Sequence, residues 1–171
     1  MPSDTPRRGL LERPDTPAQT FALIAGLFLV ALGVLSLIFE PVSFGSIGRA
    51  ANQPQFLIWA VSGWTTILWL VMGGLGLVSA GRLDSARTYA LFAGVVFAVA
   101  CVWGFIDGDN VVNLIAADTT NNITHGILAA LGLITGLMPR GAQRPREERE
   151  ERFGRGAPGT RERTRQATPQ H

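Results

Sequence analysis

Four stretches of this chain, residues 21–39, 56–80, 88–106 and 121–138, contain no Asp, Glu, Lys or Arg. Each is long enough for a helix to cross the hydrocarbon core of a bilayer, which takes roughly 17–25 apolar residues. In that medium every backbone N–H and C=O must find its partner inside the segment, which is why helices are the natural solution. A soluble domain of 171 residues could bury one such helix, but hardly four. Charged residues make up 16% of the chain, against about 25% in soluble domains, and they crowd between and beyond the runs. The expectation is an all-α integral membrane four-helix bundle. Its spans fall near 20–39, 56–80, 87–106 and 121–138, within a transmembrane domain at 19–139. The first run exceeds the apolar core of a cleaved signal peptide and three more follow it, so it reads as an uncleaved first helix.

Arginine sets the expected orientation. All 15 basic residues are arginine, and all but one lie at 7, 8 and 13 before the first run, at 82 and 87 between the second and third, and from 140 onward after the fourth. The segments 40–55 and 107–120 hold only Arg49. The positive-inside rule places both termini and the 81–87 loop in the cytoplasm of a bacterial cell, with Trp59 and Trp103 near the outer headgroups. Residues 1–18, with four prolines, read as a disordered cytoplasmic segment. The tail at 140–171 mixes nine Arg with five Glu and reads the same way, since it has too little apolar surface to fold alone. A contact with anionic headgroups is the sharper reading of that tail, and the interleaved glutamates weaken it.

The sequence also repeats itself. "AQTFALIAG" at 18–26 matches "ARTYALFAG" at 86–94, and "GGLGLVSA" at 73–80 matches "AALGLITG" at 129–136. The first run therefore pairs with the third at an offset of 68, and the second with the fourth at an offset of 56. This is the pattern of a duplicated helical hairpin. Both copies start on the same side, so the bundle is expected to consist of two parallel-repeat hairpins about a pseudo-two-fold axis near the membrane normal. Residues 18–39 with 60–80 should then superimpose on 86–106 with 116–136. Small residues recur at helical spacing, and they mark the faces expected to pack. They are Ala86, Ala90, Gly94 and Ala98 in the third run, Ala129, Gly132 and Gly136 in the fourth, and Gly73, Gly76 and Ala80 in the second.

One residue inside the runs is a physiological titrator, His125. It shares a helical face with Ala129 and Gly132, and so is expected inside the bundle, buried and neutral, against Trp69 or Thr65. Asn121 and Asn122 precede it by one turn and Asp118 by two; with Asn113 they form a polar cluster at the outer end. An ionisable residue at this depth is a functional hypothesis by default. The plainer reading is a packing histidine satisfied by a carbonyl, Asn or Thr. Nothing else in the chain carries recognisable chemistry. There is no second intramembrane His for haem, no metal-ligand spacing, no nucleophile–base set and no phosphate-binding glycine loop. No cofactor is expected, and a net charge of +2 does not point to nucleic acid. The lone Cys101 reads as a small packing residue.

The "PAQTFAL" and "SARTYAL" entries, with Ala117, Asp118, Asn122, His125 and the "LGL" at 131–133, resemble a family of small bacterial four-helix membrane proteins, domain of unknown function 4383. The resemblance covers roughly residues 15–140. It implies the four-helix architecture and supplies no activity. Family members tend to carry a histidine in the second span as well. Here Trp69 stands opposite His125 and Thr65 opposite Asn121, which puts in doubt any role needing a histidine pair. The expected function is a non-enzymatic membrane protein of structural or accessory type. Its expected partner is the bilayer, with self-association or a membrane-protein partner beyond that. The alternative is a small-molecule binder or transport subunit with an outer pocket of His125, Asn121, Asn122, Thr65 and Trp69.

Overall fold

Helix α1 spans Pro17–Phe39, α2 Gly63–Ser79, α3 Leu83–Asp107 and α4 Thr119–Leu137. These elements come from a computed structural model of the chain, which describes residues 16–39, 44, 54–107, 110–111, 115–116 and 118–139. The expectations for residues 1–15, for the tail from 140 and for Asn113 lie outside the described residues. A short antiparallel hairpin precedes α2, pairing β1 (Gln55–Phe56) with β2 (Trp59–Ala60). Another precedes α4, pairing β3 (Asn110–Val111) with β4 (Ile115–Ala116).

The second span expected at 56–80 is therefore corrected. Its first residues belong to the hairpin, and the helix itself holds 17 residues. The cause is local. Ser62 is an N-cap whose hydroxyl accepts the Thr65 N–H, and this fixes the start of α2. Just before it, the two-residue turn puts Leu57 at φ 57°, a conformation that glycine or asparagine adopts more readily. Helix α4 starts in the same manner, with Asp118 accepting the Asn121 N–H at 2.7 Å. The two caps are equivalent under the offset of 56, so the repeat extends to the caps and hairpins, where sequence identity is lost.

Helices α1 and α3 are long and apolar enough to cross a membrane, by length and composition; α2 is a shorter apolar helix. Helix α4 has 19 residues, but Asn121, Asn122, Thr124 and His125 crowd its first two turns, and it falls below that measure.

The helices pack as two tight pairs, α1 with α2 and α3 with α4. Helix α1 also touches α3 and α4, and α3 also touches α2. Helices α2 and α4 make no comparable contact, so α1 and α3 form the middle of the bundle. The glycines expected to pack do mark the closest approaches. A Cβ on Gly73 would stand 2.9 Å from Gly26 O, and one on Gly132 would stand 2.7 Å from Ala90 O and 3.1 Å from Gly94 Cα. Gly76 lies as close to Ala22 O, and Gly136 faces the Leu91 side chain. Ala90 is buried, while Ala98 is half-buried at the edge of the core. A shared core of Leu29, Trp69, Met72, Phe97, Phe21 and Tyr89 fills the centre.

Contacts recur at equivalent positions of the two pairs. Gln19 Nε2 donates to Ala80 O at 3.1 Å, capping the end of α2. At the matching place Arg87 donates to Gly136 O at 3.1 and 3.3 Å and to Met138 O at 3.3 Å. Both satisfy carbonyls that a helix end leaves free. Volumes trade places across the two seams. Gly33 on α1 receives the Leu70 side chain, whereas at the equivalent positions Cys101 on α3 lies against Gly126. Helix α4 stops because Pro139 follows; Met138 is driven to an extended ψ of 135°.

Candidate functional site

The N-terminal turns of α4 hold the buried polar cluster. Asn121, Asn122 and His125 are 1, 2 and 1% exposed, and Ser36, Ser62, Thr65 and Thr66 are buried at the same end of the bundle. A helix can present residues 121, 122 and 125 to the interior together because they span just over one turn. What covers them is the first hairpin, which crosses the bundle to reach α4. Ala60 N–H donates to Asp118 Oδ2 at 3.1 Å, and Asn121 Nδ2 donates to Ala60 O at 2.8 Å. The Trp59 indole N–H donates to Thr124 Oγ1 at 3.0 Å, while its ring meets Phe28 edge-on at 6.2 Å. Asp118 thus divides its two oxygens, one capping α4 and one holding β2. In return β4 packs on α2 as β2 packs on α4.

Below the hairpin the cluster faces α3. The His125 ring stacks on Phe97 with centroids 5.4 Å apart and planes tilted by 25°. Phe97 is presented to it because α4 packs chiefly on α3. Asn122 lies against the bare Cα of Gly104, where any side chain would overlap its amide. Two side-chain atoms here are buried with no protein partner, Asn122 Oδ1 and His125 Nδ1. The first half solves the same position differently. Ser36 Oγ and Thr66 Oγ1 lie 3.0 Å apart, and Ser36 also donates to Gly33 O at 2.9 Å. These are the residues equivalent to Gly104 and Asn122.

The five candidate residues are all buried and lie on two helices, α2 and α4. Asn121, Asn122 and His125 come together on α4. Thr65 and Trp69 are buried on α2, where Thr65 joins Ser62 in the cap, with hydroxyls 2.9 Å apart. Phe97, Gly104 and Trp59 belong to the site but carry no polar signal that a sequence search would pick out. The capping role of Asp118 was open to detection through its equivalence with Ser62, whereas its bond to Ala60 was not. Among the described residues no group of three or more His, Cys, Asp or Glu is placed to hold a metal ion. The arrangement suits neutral hydrogen-bonding partners. A separate groove opens at the opposite end of the bundle between α1 and α4, lined by Thr16, Thr20, Phe21, Ile24, Leu131 and Thr135 among others.

No curated protein and no solved structure shows detectable similarity to the chain. Its family profile is another matter. The match runs over residues 19–138, from the first helix to the end of the fourth, and so takes in both hairpins and the whole polar cluster. By that match the chain belongs to the family described as domain of unknown function DUF4383.

Proposed function

We propose that the chain is a non-enzymatic, multi-pass protein of the bacterial cell membrane, built from two parallel copies of one helical hairpin and serving a structural or accessory role. The observation that carries this reading is the outward face of the least apolar helix. On α4 the exposed large residues are Ile123, Ile127, Leu131, Ile134 and Leu137, all apolar. Asn121, Asn122 and His125 point inward, so its mean hydropathy understates how well its surface suits lipid. The other three helices present the same kind of face, with Ile24 and Ile38 on α1, Val71 and Val78 on α2, and Phe92 and Ile106 on α3 exposed. A continuous apolar belt of this extent on a soluble monomer would be an association or aggregation surface. The parallel arrangement draws support from Phe21 and Tyr89, equivalent residues whose rings meet at 6.2 Å, as partners across a two-fold axis do.

Topology is the test. In a Cys101→Ala background, Leu57→Cys and Arg82→Cys place single thiols on exposed positions at opposite ends of the bundle. Leu57→Cys should react with an impermeant maleimide in intact cells, and Arg82→Cys only after permeabilisation. The reverse pattern, or equal labelling of both, would refute the orientation; recovery in the soluble fraction would refute the membrane reading itself. A second reading, a small-molecule binder, draws support from the unpartnered atoms of Asn122 and His125. An absorption spectrum and organic extract of the purified protein separate the two readings: a bound chromophore or metabolite favours the binder.

A further inference from the structure

We propose that the seam between α3 and α4 holds one buried water molecule, bound between Asn122 Oδ1 and His125 Nδ1. The two atoms sit on one face of α4, three residues apart, and both lack a protein partner although their side chains are 2 and 1% exposed. Neither atom can be served by lipid, and a buried polar group left alone carries its full desolvation cost. A water donates to the amide oxygen and either donates to or accepts from the imidazole nitrogen, so it suits either ring tautomer. Two polar partners meet the minimum for an ordered internal water.

The seam is less tightly closed at Gly126 than at Gly132. A Cβ on Gly126, beside His125, would meet only Cys101 Sγ at 3.3 Å. Two turns further on, a Cβ on Gly132 would meet Ala90 O at 2.7 Å and two backbone atoms of Gly94 at 3.1 Å. The first half needs no such water, since Ser36 and Thr66 satisfy each other across the equivalent seam. The duplicated hairpins thus differ in hydration. A water and a small-molecule ligand would use the same two atoms, Asn122 Oδ1 and His125 Nδ1, so they are alternative occupants of this seam.

The experiment uses the full chain, labelled with ¹⁵N-histidine and reconstituted in lipid nanodiscs. Magnetisation transfer from water to the His125 ring should be observed, with His125→Phe assigning the signal against that of His171. Asn122→Leu fills similar space without an acceptor and should abolish the transfer. Gly104→Ser with Asn122→Thr writes the first-half pair into the second half; it should preserve helicity and also lose the transfer, which keeps the test open if Asn122→Leu fails to fold. Transfer that persists in either folded variant would overturn the proposal, as would a direct Asn122–His125 hydrogen bond in the wild type. A small organic molecule that shields the ring from water would likewise replace it.

Discussion

Gly73 and Gly74 are neighbours on α2, and replacing each with alanine should move stability in opposite directions. In a helix interior, alanine is favoured over glycine by about 0.8–1 kcal/mol through the entropy of the unfolded backbone. Gly74 has nothing within 4 Å of the position a Cβ would take, so Gly74→Ala should realise most of that gain, about 0.5–1 kcal/mol. At Gly73 the new methyl would lie 2.7 Å from Val30 N, 2.8 Å from Val30 Cγ2 and 2.9 Å from Gly26 O. Two of those atoms are backbone, so relief requires α1 and α2 to move apart along their seam. Overpacking of this kind costs about 1–3 kcal/mol, and with backbone in the way the upper half applies. Net of propensity, Gly73→Ala should lose about 1–2 kcal/mol. The neighbours would then differ by about 1.5–3 kcal/mol, roughly 10- to 150-fold in the folded-to-unfolded ratio. Reversible unfolding in mixed micelles, followed by far-ultraviolet circular dichroism and tryptophan fluorescence, has the resolution to read this. Adding Val30→Ala to Gly73→Ala removes the side-chain clash and should restore part of the loss, as the second half does with Ala98 and Ala129 at the equivalent positions. Shifts of the same sign and similar size at 73 and 74 would mean that the α1–α2 seam is not the close backbone contact described.

Three further changes probe the contacts that join the elements. Asp118→Ala removes the α4 cap and the acceptor for Ala60 N–H together, and should lower stability by about 1–3 kcal/mol; Asp118→Asn should recover much of this, and an unchanged midpoint for the alanine variant would count against the double role. Arg87→Ala removes the donor to the Gly136 and Met138 carbonyls and should cost about 1 kcal/mol, with faster amide exchange confined to the last turn of α4. Leu57→Asn relieves a left-handed conformation at an exposed turn and should raise the midpoint by the equivalent of about 0.5–1 kcal/mol; a fall would show that the Leu57 side chain holds the hairpin in place.

How much of this was legible beforehand differs from element to element. The seams could be read because close helix contact demands small residues at helical spacing, and Gly73, Gly76, Gly94 and Gly132 carry that requirement openly. The hairpins could not. Phe56, Leu57, Ile58, Trp59 and Ala60 are as apolar as the helix they precede, so hydropathy merges them with it, and only the Ser62 cap marks the boundary. The inward aspect of His125 followed from its register with Ala129 and Gly132, with Asn121 and Asn122 one turn before it. Their neighbours did not follow. Duplication suggested Trp69 or Thr65 as neighbours of His125; Phe97 and Gly104, which carry no such signal, stand beside the cluster because the second helix of each repeat packs mainly on the first helix of its own hairpin. Reciprocal volume changes hid this pairing further, because Gly104 with Asn122 looks nothing like Ser36 with Thr66.

The crossing of the first hairpin onto α4 constrains the order in which the chain can mature during synthesis. Ala60 N–H, Ala60 O and the Trp59 indole find their partners at Asp118, Asn121 and Thr124. Those partners emerge from the ribosome about sixty residues later, several seconds at ordinary elongation rates of roughly 5–20 residues per second. Helices α1 and α2 can pair in that interval, but the β1–β2 end of their hairpin must wait with three strong polar groups not yet joined to α4. Closure is therefore a late event that depends on the last helix, and a chain stopped at residue 81 would carry an open edge suited to capture by the second half supplied as a separate polypeptide.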